Sequence, residues 1–144
     1  MCIRDSASSA FFCSPFEDAV ILTLDGAGED DSCGVFIGKE TSIERIRTLR
    51  YPDSPGHFYC AITSYLGYEP NSDEYKVMGL ASYGKPRFEK EMRELVAVGE
   101  DGSFRMNFRY FDYPYGEKVW FNEEFVRLFG PPRGEVRRGG RTPR

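Results

Sequence analysis

The feature that most constrains the fold is a short apolar run that ends at an aspartate and a glycine. Residues Ala19–Leu24 read Ala-Val-Ile-Leu-Thr-Leu, and Asp25-Gly26 follows directly. A run of this length, rich in aliphatic and β-branched residues, is typical of a strand buried on both faces. The Asp-Gly pair is typical of a turn. We therefore predict a central, buried strand over 19–24.

Two more strands are predicted close behind the first. Gly34–Ile37 and Ile43–Leu49 are apolar or alternating segments, and the polar stretches 27–32 and 39–41 separate the three runs. Connections this short join antiparallel neighbours. The first third of the chain is therefore predicted to form an antiparallel meander. A helix that closes near Phe12 is predicted to precede it.

The pattern becomes helical after residue 53. Ser54 is a favoured N-cap residue, and Pro55 suits the first helical position. Gly67 provides the stop signal. The apolar residues between these signals recur at helical spacing and define one face: Phe58, Ala61, Ile62, Tyr65 and Leu66.

Two further helices are predicted, one from Pro86 and one capped by Asn122, with an extended aromatic stretch over 102–115 between them. In the Pro86 helix, one set of apolar residues is expected to face inward: Phe88, Met92, Leu95 and Val96. The fold class is therefore α/β or α+β, an antiparallel strand meander followed by helices.

Composition narrows the functional classes. With 144 residues, 40% of them hydrophobic and 15% aromatic, the chain suits one globular domain with a real core. Residues 7–132 carry 13 basic and 21 acidic side chains, a net charge of −8. A protein with this acidic net charge is unsuited to binding nucleic acid.

No apolar run is long enough to span a membrane, so a cytoplasmic protein is predicted.

Cysteine and histidine usage argues against a zinc site of standard spacing. The four cysteines form no Cys-x-x-Cys pair, and the chain has a single histidine, His57. The thiols are therefore expected to be reduced, as is usual in the cytoplasm. His57 is interpreted as a structural residue at a helix start.

Both ends look foreign to the rest of the chain. Met1–Ser6 reads Met-Cys-Ile-Arg-Asp-Ser, which a transposase adapter used in preparing sequencing libraries encodes. Residues 134–144 are basic, aperiodic and almost without apolar side chains. We expect the natural segment to be 7–133, with 1–6 an artefact and 134–144 a non-native or disordered tail.

The first candidate site is the glycine-containing turn after the first strand. A carboxylate such as Asp25 can bind a cation, and the small residues Gly26 and Gly28 let backbone N–H groups approach a phosphate. The same pattern also fits an ordinary hairpin turn. The sequence alone leaves both interpretations open.

The second candidate site is the dense polar segment Asn71–Gly84. Glu74 and Lys76 can hold polar substrate groups, and the small residues Gly79 and Ala81 permit close packing. The alternative is a capped loop that leads into a helix, with Glu74 and Lys76 as a surface pair of little energetic value.

These segments together resemble the carbamoyltransferase family that includes nodulation-factor, cephalosporin and aminoglycoside O-carbamoyltransferases. The most specific stretch is Glu-Tyr-Lys-Val-Met-Gly-Leu-Ala-x-Tyr-Gly at residues 74–84. The matching stretches follow the family's order across nearly all of 7–133: Ser9–Phe16, Ala19–Glu29, Arg50–Gly56, Ala61–Gly67, Glu74–Gly84 and Phe129–Arg133.

The resemblance implies a partial actin-like, sugar-kinase-like domain. In that family a second domain makes carbamoyl adenylate from carbamoyl phosphate and ATP. The actin-like domain then passes the carbamoyl group to the hydroxyl of an alcohol or sugar, beside iron or another divalent metal. By resemblance, Asp25 is a metal ligand, Gly26 and Gly28 form the substrate loop, and Glu74 and Lys76 are catalytic candidates. Glu74–Gly84 is then predicted to lie beside the same substrate cleft as Asp25.

The chain departs from the family where two of the metal ligands belong. The family carries His-His-x-x-His directly before Ala-Ala-Ser-Ala-Phe, whereas here Asp5-Ser6 stand where that motif ends, and Ser8 replaces an alanine. We therefore expect the chain by itself to be inactive and to bind iron weakly. Two other functions stay open: an ATP-using kinase or ATPase of the same superfamily, and a small non-catalytic binding domain.

Overall fold

The computed structural model describes residues 3–28, 30–115 and 120–133. The chain divides into two compact units, Met1–Gly56 and His57–Arg144. Each unit has its own hydrophobic cluster and is described by itself.

The first unit consists of one helix and a three-stranded sheet. The strand order is β1-β2-β3, and both neighbouring pairs are antiparallel. The predicted meander is thus confirmed, as is a helix closing at Phe12. The elements are α1 (Ile3–Phe12), β1 (Asp18–Gly28), β2 (Asp31–Lys39) and β3 (Ser42–Arg50).

Helix α1 packs on one face of this sheet. Its residues Ile3, Ala7 and Phe11, four apart and therefore on one side of the helix, are buried with Ile21 and Phe36 of the strands. Gly38 permits this packing, because a Cβ atom there would lie 2.6 Å from the Phe11 ring.

The opposite face of β1 is exposed, so the prediction of a central strand buried on both faces is wrong. Within the described sheet β1 is an edge strand, not a central one, and Val20, Leu22 and Leu24 are 75%, 60% and 59% exposed. Helix α1 covers only the face that carries Ile21 and Thr23. The apolar run was therefore a correct sign of strand structure, but it was wrong about burial on both faces.

The second unit is mainly helical, with one small antiparallel hairpin. The helix predicted after Ser54 and the helix capped by Asn122 are confirmed, whereas the helix predicted from Pro86 begins three residues later. The elements are α2 (Pro55–Tyr65, whose first two residues lie in the first unit), α3 (Glu74–Ala81), α4 (Glu89–Leu95), β4 (Val96–Val98), β5 (Phe104–Met106), a one-turn 3-10 helix (Tyr113–Tyr115) and α5 (Glu123–Phe129).

Aromatic side chains form the core of the second unit. Phe111 and Phe125 are fully buried, and their ring centroids lie 5.9 Å apart. Tyr65 of α2 packs 5.1 Å from Phe125, and its hydroxyl donates a hydrogen bond to the Phe129 carbonyl oxygen at 3.0 Å. The tyrosine thus ties the end of α2 to α5.

A membrane-spanning helix is not found among residues 3–28, 30–115 and 120–133. None of the helices there is both long enough and apolar enough for that role.

Candidate functional site

The predicted Asp-Gly turn is a bulge in β1. Regular pairing stops at Leu24, opposite Cys33, and resumes at Gly28, opposite Asp31. Residues 25–27 therefore stand opposite a single residue of β2, which pushes this backbone out of the ladder. The Asp25 side chain is half-buried, and its Oδ1 accepts a hydrogen bond from the Gly26 N–H at 2.8 Å.

A buried serine fastens the bulge to the start of α2. The Ser54 side chain is fully buried, and its Oγ donates toward the carbonyl oxygens of Gly26 at 2.6 Å and Asp25 at 3.1 Å. Ser32, the β2 residue opposite the bulge, donates from its Oγ toward the carbonyl oxygens of Leu49 and Asp53, the residue before Ser54. We predicted Ser54 only as an N-cap, so this role was missed.

Gly56 lies directly against the bulge. A Cβ atom at this position would come within 2.7 Å of the Gly26 nitrogen and 2.8 Å of its Cα. Only glycine permits this approach without movement of the backbone. Two segments that carried the resemblance, Ala19–Glu29 and Arg50–Gly56, therefore meet in the first unit, at Asp25-Gly26.

The far end of the bulge opens onto a polar cavity. The cavity has a volume of about 720 Å³, and Gly28 lines it together with Ile3 and Arg4 of α1. Arg45 also lines it and forms a 3.1 Å ion pair with Asp31. Arg50 and Asp30 complete the charged lining, and Arg4 belongs to the segment 1–6 that is expected to be foreign to the natural protein.

The described residues do not form a complete metal site. Within 3–28, 30–115 and 120–133, no three His, Cys, Asp or Glu side chains are grouped so that they can hold a metal ion. Asp25 offers one carboxylate, and metal sites need several ligands in fixed geometry.

Glu74, at the start of α3, is held by two donors. Its Oε1 accepts a hydrogen bond from the Asn71 N–H at 2.6 Å and lies 3.3 Å from the Cys60 Sγ. Cys60 is only 5% exposed. Burial, together with the neighbouring Glu74 carboxylate, raises the pKa of Cys60 to about 12, so the thiol stays protonated and acts as a donor.

Lys76 has a different partner. Its Nζ lies 2.7 Å from Asp73 Oδ1, and this hydrogen bond raises the pKa of Lys76. The amine therefore stays a cation, which suits it to binding an anion and not to acting as a base. Of the alternative considered above, the loop that leads into a helix is present, and Lys76 pairs with Asp73 and not with Glu74.

The predicted site residues fall into two groups. Asp25 and Gly26 lie in the bulge of the first unit and Gly28 directly follows it, whereas Glu74 and Lys76 lie on α3 of the second unit. The predicted proximity of these two groups stays a prediction.

His57 packs among aromatic rings, which agrees with its interpretation as a structural residue. Its ring centroid lies 5.1 Å from that of Tyr113 and 5.3 Å from that of Trp120.

The comparison with known families identifies the class of protein. Residues 4–140 match the family described as Carbamoyltransferase N-terminus. This match covers most of the chain, including the bulge and α3. The chain belongs to this family, and the predicted membership is confirmed.

Individual relatives agree with the family. The chain is 41% identical over 131 residues to the uncharacterized protein sll1178 of Synechocystis, which is 90% of this chain and 21% of that protein. It is 40% identical over 101 residues to nodulation protein NolNO of Sinorhizobium fredii, 69% of this chain and 15% of that one. Nodulation protein NolO of Bradyrhizobium diazoefficiens is 35% identical over 102 residues, 70% of this chain and 18% of that one. The chain thus spans about a fifth or less of the length of these relatives.

Proposed function

We propose that this chain is part of a cytoplasmic O-carbamoyltransferase with an actin-like domain. That domain takes the carbamoyl group from carbamoyl adenylate and passes it to a hydroxyl of an alcohol or sugar. The observation that carries the proposal is the family match, which runs through both the Asp25–Gly28 bulge and α3. The fixed attachment of the bulge to Ser54 and Gly56 supports it, because a substrate loop needs a rigid backbone.

The reaction assigns distinct tasks to the two groups of residues. The acceptor oxygen forms a bond to the carbamoyl carbon, the bond from that carbon to the phosphate oxygen breaks, and AMP leaves. The hydroxyl proton goes to a base, for which we propose Glu74. Its Oε1 already accepts two donors, while the described residues offer Oε2 no hydrogen bond. Lys76, a persistent cation, is proposed to bind the phosphate of the adenylate.

We propose that the bulge and its cavity, in the first unit, bind the carbamoyl donor. The small residues Gly26 and Gly28 leave room for a ligand to approach the backbone, and Arg45 and Arg50 line the cavity beside Gly28. Ile3 and Arg4 line the same cavity as Gly28. They occupy positions at which the family pattern carries its histidine motif, so this end of α1 is the expected place for metal ligands.

A divalent ion such as iron, when bound, would polarise the carbamoyl oxygen. We propose Asp25 as one ligand of that ion. The residues that the structure describes do not complete that site.

An ATP-using kinase or ATPase is the second candidate. Arg45 and Arg50, which line the cavity beside Gly28, can contact any phosphate-bearing ligand and do not by themselves select carbamoyl adenylate.

Product analysis separates the two functions. The full-length protein that carries this chain is incubated with ATP, carbon-labelled carbamoyl phosphate and a sugar or simple alcohol. A carbamoyltransferase forms a labelled carbamate ester and releases AMP only when carbamoyl phosphate is present. Release of ADP at the same rate without carbamoyl phosphate would identify a kinase or ATPase.

A further inference from the structure

We propose that Cys60 is a positioning residue for Glu74. Together with the Asn71 N–H, its thiol fixes Oε1 of the glutamate and leaves Oε2 as the oxygen that meets substrate. The inference rests on the proposed function, because it assumes that Glu74 acts in carbamoyl transfer.

The geometry brings three residues together around one oxygen. Cys60 Sγ lies 3.3 Å from Glu74 Oε1, and the Asn71 N–H donates to the same oxygen across 2.6 Å. The thiol has one proton, and Asn71 Oδ1, 3.4 Å from the sulfur, is the competing acceptor. The carboxylate is the stronger acceptor because it is charged.

The loop before α3 is shaped to present this donor. Asn71 has φ 65°, a left-handed conformation that asparagine tolerates better than most residues. The Asp73 side chain accepts a hydrogen bond from the Glu69 N–H at 3.3 Å, which closes the same loop. The position of the Asn71 N–H is thus set before any substrate binds.

A cysteine suits this place because it is buried and neutral. A protonated thiol donates to the carboxylate, whereas a thiolate would repel it. Alanine at position 60 would leave Oε1 with one donor and would remove the contact from α2. The carboxylate would then be held by the Asn71 N–H alone, and its orientation for proton transfer would be less well defined.

The test compares Cys60→Ala with Cys60→Ser in the full-length protein. Serine keeps an O–H donor, so it should retain kcat within a fewfold, whereas alanine should lower kcat roughly tenfold to a hundredfold. KM for the acceptor should change little in both. Cys33→Ala, at another buried cysteine, is the control and should leave kcat unchanged. Equal losses in the alanine and serine variants, or an unchanged kcat in Cys60→Ala, would overturn the proposal.

A double-mutant cycle separates this inference from the proposed function. The free energy of unfolding is measured for Cys60→Ala, for Glu74→Gln and for the double variant. Additive effects would show that the thiol does not hold Glu74, and would overturn the positioning role whatever Glu74 does. Coupling between the sites, combined with full transfer activity in Glu74→Gln, would instead refute Glu74 as the base. Coupling between the two sites, together with loss of carbamoyl transfer in Glu74→Gln, would support both the positioning role of Cys60 and the role of Glu74 as the base.

Discussion

The hydroxyl group of Ser54 lies 2.6 Å from the carbonyl oxygen of Gly26, and this contact joins the start of α2 to the bulge in β1. The same hydroxyl reaches the Asp25 carbonyl oxygen at 3.1 Å. The backbone that carries the Asp25 carboxylate is thus held in place by hydrogen bonds from Ser54. The first two predictions test this connection.

Replacing Ser54 with alanine should destabilise the full-length protein by about 1–3 kcal/mol, because it removes a buried hydrogen-bond donor from two carbonyl oxygens. Urea unfolding measures the change. Ser42→Ala is the matched control: its exposed hydroxyl bonds the Lys39 carbonyl oxygen, and its loss should cost less than about 0.5 kcal/mol. Equal costs for the two variants would contradict the role assigned to Ser54.

Gly56→Ala should destabilise the protein by about 1–3 kcal/mol and lower carbamoyl transfer, because the new Cβ atom displaces the Gly26 backbone. The control is Gly79→Ala on α3, where an added Cβ atom would meet nothing within 4 Å. Alanine there should stabilise the helix by up to about 1 kcal/mol. Thermal unfolding and a transfer assay report both effects, and an unaffected Gly56→Ala protein would refute the close approach.

The exposed face of β1 should limit the solubility of the 144-residue chain when it is expressed alone. Val20, Leu22 and Leu24 form an apolar row on an edge strand, which favours association. Leu22→Lys should therefore increase the soluble fraction. Ile21→Lys, one residue away but buried, should decrease it. A wild-type chain that is already soluble and monomeric at high concentration would argue against this account.

The buried thiol of Cys60 should make stability fall at alkaline pH. Its pKa is raised from 9.0 to about 12 in the folded state, by burial first and by Glu74 second. Between these values the unfolded chain loses a proton that the folded protein keeps, so the free energy of unfolding decreases by at most about 1.4 kcal/mol per pH unit.

Cys60→Ala should lack this contribution. The readout is the difference between wild type and variant in urea unfolding from about pH 8 to about pH 11, because other groups also titrate there. A difference that does not change with pH would contradict the raised pKa.

Local signals predicted most of the secondary structure. The apolar runs located β1, β2 and β3, and the capping signals located α2 and α5, whose Asn122 side chain accepts from the Glu124 and Phe125 N–H groups. The end of β1 was missed, because pairing resumes at Gly28 after a bulge that the pattern does not show. The start of the Pro86 helix was placed too early, and Phe88, expected to face inward, is 47% exposed.

Side-chain partners were harder to predict than elements. Asp25, Gly26 and Gly28 were singled out because a carboxylate and glycines after a strand have recognisable chemistry. The contacts of Glu74 with Cys60, and of Ser54 with Gly26, join residues 14 and 28 positions apart, and no periodicity encodes such pairs. Gly56 lies inside a segment that resembles the family, and this glycine was the one sequence signal that could have predicted the close approach of residue 56 to the bulge.

The most direct test of the central claim is carbamoyl transfer and bound iron in Asp25→Asn, measured in the purified full-length protein. Asparagine preserves size and can still accept the Gly26 hydrogen bond, so the fold should persist while the charged ligand is lost. Asp18→Asn, an exposed position at the other end of β1, is the control and should keep both properties. We predict that Asp25→Asn folds normally, retains little iron and forms no labelled carbamate ester. Wild-type iron content and full transfer activity in Asp25→Asn would contradict the account.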